Sequence, residues 1–78
     1  MLKIKQEIDL KELEKYDYYL ASMYGQPAYI KDLKYNDNLV VIIDTRKVFL
    51  DTYEYSDEYL LEVADDLIKD DLVEKVKE

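Results

Sequence analysis

The sequence predicts an α+β domain in which two helices pack on a small antiparallel sheet, in the order β-α-β-β-β-α-β, with residues 1–78 forming a single domain. Three features carry that expectation. Residues 2–8 alternate between apolar and charged side chains, the period-two signature of a half-buried strand. Two stretches repeat apolar residues at helical spacing behind a residue suited to cap a helix, Asp9 and Ser56. Between them, residues 39–43 (LVVII) form an apolar run bounded by the turn-forming clusters Asn36-Asp37-Asn38 and Asp44-Thr45-Arg46. The 78 residues, 49% of them hydrophobic, suffice for one core and argue against disorder.

Each element follows from its residues. In the first strand Leu2, Ile4 and Ile8 point one way and Lys3, Lys5 and Glu7 the other, with Gln6 as the exception. Asp9 opens a helix predicted to reach Tyr24, with Glu12 as its capping-box partner. Leu10, Leu13, Tyr16, Leu20, Met23 and Tyr24 share its apolar face, Tyr18 projects away with Lys11, Lys15 and Ser22, Tyr19 sits at the flank, and Asp17 lies at the stripe's edge. Gly25 is expected to cap this helix and Pro27 to prevent its continuation. Residues 28–35, 39–43 and 47–54 then read as a three-stranded antiparallel meander, the middle strand the most buried. In the last of these Val48, Leu50 and Thr52 share one face, and Phe49, Asp51 and Tyr53 the other. The second helix starts at Ser56 and buries Leu60, Val63, Ala64, Leu67 and Ile68. Beyond Lys69 the phase inverts, because Asp71 would fall at the centre of the apolar face. Asp70-Asp71 is therefore read as a turn and residues 72–77 as a last strand.

The missing residue types restrict the chemistry. Without Cys there is no disulfide, thiolate nucleophile or zinc ribbon, and without His the commonest general base and metal ligand are absent. A single glycine cannot build a phosphate-cradling loop. The neighbouring acids Asp65-Asp66 and Asp70-Asp71 diverge on a helix, and no calcium-loop pattern surrounds them. The expectation is a protein without catalytic activity, cofactor or metal. No signal-peptide pattern opens the sequence, and the longest apolar run has five residues. The expected location is therefore cytoplasmic, with no membrane partner.

Charge supplies the functional expectation. The formal net charge is −8, and all of it belongs to residues 36–78, which hold thirteen acids against five bases. The acids gather around the second helix, so the candidate partner-binding residues are Asp51, Tyr53, Glu54, Tyr55, Asp57, Glu58, Glu62, Asp65 and Asp66. On a helix, Glu58, Glu62 and Asp66 stand at i,i+4 spacing about 5–6 Å apart, where like charges disfavour the helix by a few tenths of a kcal/mol. Such a row can imitate part of the field of a nucleic-acid backbone, and tyrosines beside it supply anchors that charge alone lacks. The expected partner is a basic protein, a nucleic-acid-binding enzyme being the leading candidate, which this chain would inhibit or regulate. The simpler reading of the same acids is a solvated face that keeps the protein soluble.

Two resemblances bear on this. The predicted central α-β-β-β-α order resembles that of double-stranded-RNA-binding domains. That family sets a basic cluster at the start of its last helix, where this chain has Asp57 and Glu58, so direct nucleic-acid binding is not expected. In size and acidity the chain is similar to the anti-restriction and anti-CRISPR proteins of phages and mobile elements, a resemblance of composition that implies an inhibitor of a host nucleic-acid enzyme. The alternative role is an assembly module, a homodimer formed through exposed tyrosines and strand edges at residues 28–35 or 72–77.

Overall fold

A computed structural model describes residues 2–76. Six strands form one antiparallel sheet: β1 (Leu2–Ile4), β2 (Tyr19–Met23), β3 (Gln26–Asp32), β4 (Asn38–Ile42), β5 (Lys47–Asp51) and β6 (Val73–Lys75), in the spatial order β2-β3-β4-β5-β1-β6. A 3-10 helix (Leu10–Tyr16) joins β1 to β2, and α1 (Asp57–Val63) and α2 (Asp65–Lys69) join β5 to β6. The α+β class and the antiparallel sheet agree with the sequence.

The meander of β3, β4 and β5 is where the hydrophobic pattern places it. Val41 stands opposite Tyr29 and Val48, and Val40 opposite Ile30 and Phe49, so both faces of β4 are buried. Ser56 caps α1, its hydroxyl accepting the Tyr59 N–H at 3.1 Å. The helical run bends at Ala64 (φ −93°, ψ 10°) without losing the Ala64-to-Leu60 and Ile68-to-Ala64 hydrogen bonds. It ends at Lys69, Asp71 turns the chain with a left-handed backbone (φ 60°), and β6 follows. Leu60, Ala64 and Leu67 are buried, whereas Ile68 is exposed.

The first helix departs from expectation. It stops after Tyr16 as a 3-10 helix, and Asp17 takes a left-handed backbone (φ 70°). Residues 19–23, expected to finish that helix, form β2 instead. The predicted element order is therefore short of one strand, and the order shared with double-stranded-RNA-binding domains is not present. Asp9 caps as expected, accepting the Lys11 N–H at 3.0 Å, but the Glu12 carboxylate pairs with Lys15 at 2.7 Å rather than completing a capping box. Gly25 is the second residue of a tight hairpin, not a helix cap. Tyr24 (φ 54°) and Gly25 (φ 76°) both have positive φ, the requirement of a type I′ turn, and they close β2 on β3 between Met23 and Gln26. Aromatic residues favour strands, and the 3.6-residue spacing of Leu20, Met23 and Tyr24 is incidental.

The core has two parts. On one face of the sheet Leu2, Ile4, Tyr29, Leu39, Val41, Val48 and Leu50 pack beneath Leu13, Leu60, Ala64 and Leu67 from the helices. Tyr18, expected at the surface, is in this core, 3% exposed, with the Lys31 ammonium 5.6 Å from its ring. On the other face Ala28, Ile30, Val40 and Ile42 are covered by Ala21, Met23 and Phe49. The sheet coils far enough for Tyr24 at the hairpin to stack on Phe49 of β5, with ring centroids 6.4 Å apart. Tyr24 is nevertheless 73% exposed, not a core residue. Among the described residues no helix is long and apolar enough to cross a membrane.

Candidate functional site

Three separate segments meet beside α1. Asp32 ends β3 and residues 33–37 connect it to β4, residues 52–54 lead from β5 toward α1, and α1 itself presents Tyr59, Glu62 and Val63. Between them lies an open groove of about 800 Å³. Four acids line it, Asp32, Asp37, Glu54 and Glu62, with the rings of Tyr35 and Tyr59 and the apolar side chains of Leu33 and Val63. Lys34 is the one cation among the lining residues.

The β3–β4 connection is shaped by its own backbone. The Leu33 N–H bonds the Asp37 carbonyl at 2.8 Å, and the Asp37 N–H bonds the Lys34 carbonyl at 3.2 Å. Closing so tight a loop puts Tyr35 (φ 60°) and Asn36 (φ 62°) in the left-handed region, common for Asn and unfavourable for Tyr. Tyr35 is thereby thrown outward, 90% exposed. The Tyr59 hydroxyl donates to Asp37 Oδ2 at 2.9 Å and fastens α1 to the loop. The same carboxylate, together with burial, pushes the Tyr59 phenol pKa up. On β2, the Tyr19 hydroxyl donates to Asp32 Oδ1 at 2.9 Å.

Glu54 and Glu62 differ from these two aspartates. Both are exposed, and among the described residues neither has an ion pair or a hydrogen-bond donor. The groove thus offers two anchored and two unanchored carboxylates beside phenol rings. That arrangement suits a long cation, with carboxylates for the charged head and rings for the alkyl stem or the guanidinium plane.

The sequence-predicted residues divide. Glu54 and Glu62 line the groove. Tyr53 stands fully exposed between Thr52 and Glu54. Asp51 ends β5 opposite Asn38. Tyr55 donates to Asp57 at 2.8 Å, and neither lines the groove. Glu58 is exposed one helical turn before Glu62. Asp65 is paired with Lys69 at 2.9 Å. Asp66 turns toward the sheet, pairs with Lys31 at 2.9 Å and accepts the Leu67 N–H at 2.8 Å. The carboxylate row expected from Glu58 through Asp66 therefore carries its unpaired charge only as far as Glu62. Tyr59 was expected only as one of the tyrosines beside the acidic row, and Asp32, Tyr35 and Asp37 were not singled out by sequence reasoning. Their one signal was the Asn36-Asp37-Asn38 turn, which says where the chain reverses and not what it faces.

Among the described residues no group of three or more acidic side chains is arranged to hold a metal ion. No protein-family model, curated protein or solved structure matches the chain.

Proposed function

We propose that this protein is a non-catalytic interaction module that holds a basic segment of a partner protein in the acidic groove. The observation that supports this most directly is the convergence of Asp32, Asp37, Glu54 and Glu62 on one concave surface, none of them in an ion pair among the described residues and two of them without a hydrogen-bond donor as well. Acids serving solubility alone have no reason to gather in a groove beside tyrosines. The net charge of −8 would steer a basic partner by long-range attraction, giving fast, salt-sensitive association. A nucleic-acid-binding enzyme in the cytoplasm is the partner class this chemistry favours, since its basic site is built to accept a polyanion. The role is then inhibition or regulation by occupying that site.

The test is capture from nuclease-treated lysate with the tagged chain, eluted by a salt ramp, beside a Glu54→Lys/Glu62→Lys variant. The expected result is a basic nucleic-acid-binding protein held by the native chain, released as salt rises, displaced by added DNA or RNA, and not held by the variant. A partner indifferent to salt, or one retained equally by the variant, would overturn the reading.

A further inference from the structure

We infer that the free edge of β2 is a self-association seam, on which a second copy of this chain pairs β2 to β2 in antiparallel register. The two ends of the sheet are unlike. The β6 edge is three residues long, and two of them, Glu74 and Lys75, are charged, a usual defence against edge pairing. The β2 edge is five residues long and undefended. Residues 18–30 contain no charged side chain in a chain that is 38% charged, and Leu20 and Tyr19 are 63% and 46% exposed. The homodimer edge expected at residues 28–35 is not available, because β3 is paired on both sides, to β2 and to β4.

A second copy is the occupant that the charge selects. Two molecules of net charge −8 repel wherever their acidic surfaces meet. At β2 they can touch with no charged side chain on either paired strand, the Asp32 carboxylate that accepts the Tyr19 hydroxyl belonging to the end of β3. The hydrogen-bond parity also fits a two-fold axis. The two-residue turn makes Met23–Gln26 a hydrogen-bonded pair. Alternation along the ladder then aims the Tyr19, Ala21 and Met23 backbone groups at β3 and the Leu20 and Ser22 groups outward. With Ala21 on the axis, Leu20 of each copy meets Ser22 of the other, and every outward group of these residues finds a partner. Tyr19 of each copy lies opposite Met23 of the other, on the apolar face already formed by Ile30, Val40 and Phe49. This inference does not rest on the groove, and salt separates the two: groove binding weakens as salt rises, whereas an uncharged seam between two anions strengthens.

The experiment is sedimentation equilibrium of the full chain at about 0.05 and about 0.5 M NaCl, which span strong and weak electrostatic repulsion. It is joined by two variants. Ser22→Pro deletes an outward N–H and leaves the β3 ladder intact. Ala21→Cys provides the chain's single thiol. Its Cα would lie about 4.5 Å from its symmetry mate in a non-hydrogen-bonded pair, within disulfide reach. The expected result is a monomer–dimer equilibrium that tightens several-fold with salt and is lost in Ser22→Pro. Mild oxidation should link Ala21→Cys into a dimer about tenfold faster than a Thr45→Cys control, which places the thiol on an exposed turn. A monomer under both conditions, a dimer that loosens with salt or survives Ser22→Pro, or equal oxidation of the two cysteine variants would overturn it. Should Ser22→Pro fail to fold, the cysteine comparison decides alone.

Discussion

Phenol-to-carboxylate hydrogen bonds recur through this molecule. Tyr16 donates to Asp70, Tyr19 to Asp32, Tyr29 to Glu14, Tyr55 to Asp57 and Tyr59 to Asp37. The reason is numerical: 19 acids face 11 bases, so lysines and arginines cannot satisfy the carboxylates, and nine tyrosines offer a neutral donor that adds no charge. The same pairing protects the phenol proton. Tyr16 is pushed up from 10.0 to about 12, first by its hydrogen bond to Asp70, then by partial burial and by the negative charge nearby. The Tyr19 pKa is raised mainly by its bond to Asp32, and that of Tyr29 mainly by burial, then by Glu14. Each folded value lies above the unfolded one, so the stabilisation is complete below pH 10 and is lost as pH climbs through the folded values, near pH 12 for Tyr16. Urea midpoints measured from neutral pH upward should therefore stay flat with respect to these groups and fall above pH 10, with phenolate absorbance rising together with the loss of the fold. Ionisation of Tyr16, Tyr19 and Tyr29 near pH 10 in a chain whose stability does not change would contradict this.

Among the elements, the β2–β3 hairpin depends on one residue. Gly25 has φ +76°, and an added Cβ would meet nothing within 4 Å, so a substitution there is opposed by backbone strain alone. Gly25→Ala should lower stability by about 1 kcal/mol, and Gly25→Asn by less, because Asn tolerates left-handed backbone. Equal urea midpoints for the native chain and the Gly25→Ala variant would show that the turn is not type I′ in solution. This hairpin is also where the sequence misleads. Residues 39–43 and 56–69 are legible because local propensity, capping and burial agree. At residues 17–24 they conflict: Leu20, Met23 and Tyr24 extend the helical stripe of Leu10, Leu13 and Tyr16, and Gly25 with Pro27 suits a helix end as well as a turn. The conflict is resolved by pairing with β3, a contact no local pattern encodes. The site was half legible for the same reason. Acid density pointed to Glu54 and Glu62, whereas Asp32 and Asp37 join them only once β3, β4 and β5 have formed the meander.

For the molecule as a whole, the 19 acids should not be interchangeable. Some hold the fold: Asp66 ties α2 to β3 through Lys31, and Asp37 ties the β3–β4 loop to α1 through Tyr59. Others hold nothing: Glu54, Glu58 and Glu62 have no ion pair or hydrogen-bond donor among the described residues, and Glu58 and Glu62 oppose each other across one turn of α1. Neutralising members of the first group removes a contact, and neutralising the second relieves repulsion. Asp66→Asn should destabilise by about 1 kcal/mol, a modest loss because the pair is partly exposed. Glu62→Gln should stabilise by about 0.3 kcal/mol, the scale of a like-charge i,i+4 contact. Added salt should raise the urea midpoint of the native chain and raise it less in the Glu62→Gln variant, since part of the repulsion being screened is gone. If the groove serves a partner, the variants that gain stability are those that lose binding, the pattern expected where charge is kept for recognition at the fold's expense. A scan in which Glu54→Gln and Glu62→Gln leave both stability and capture unchanged would assign those acids to solubility alone.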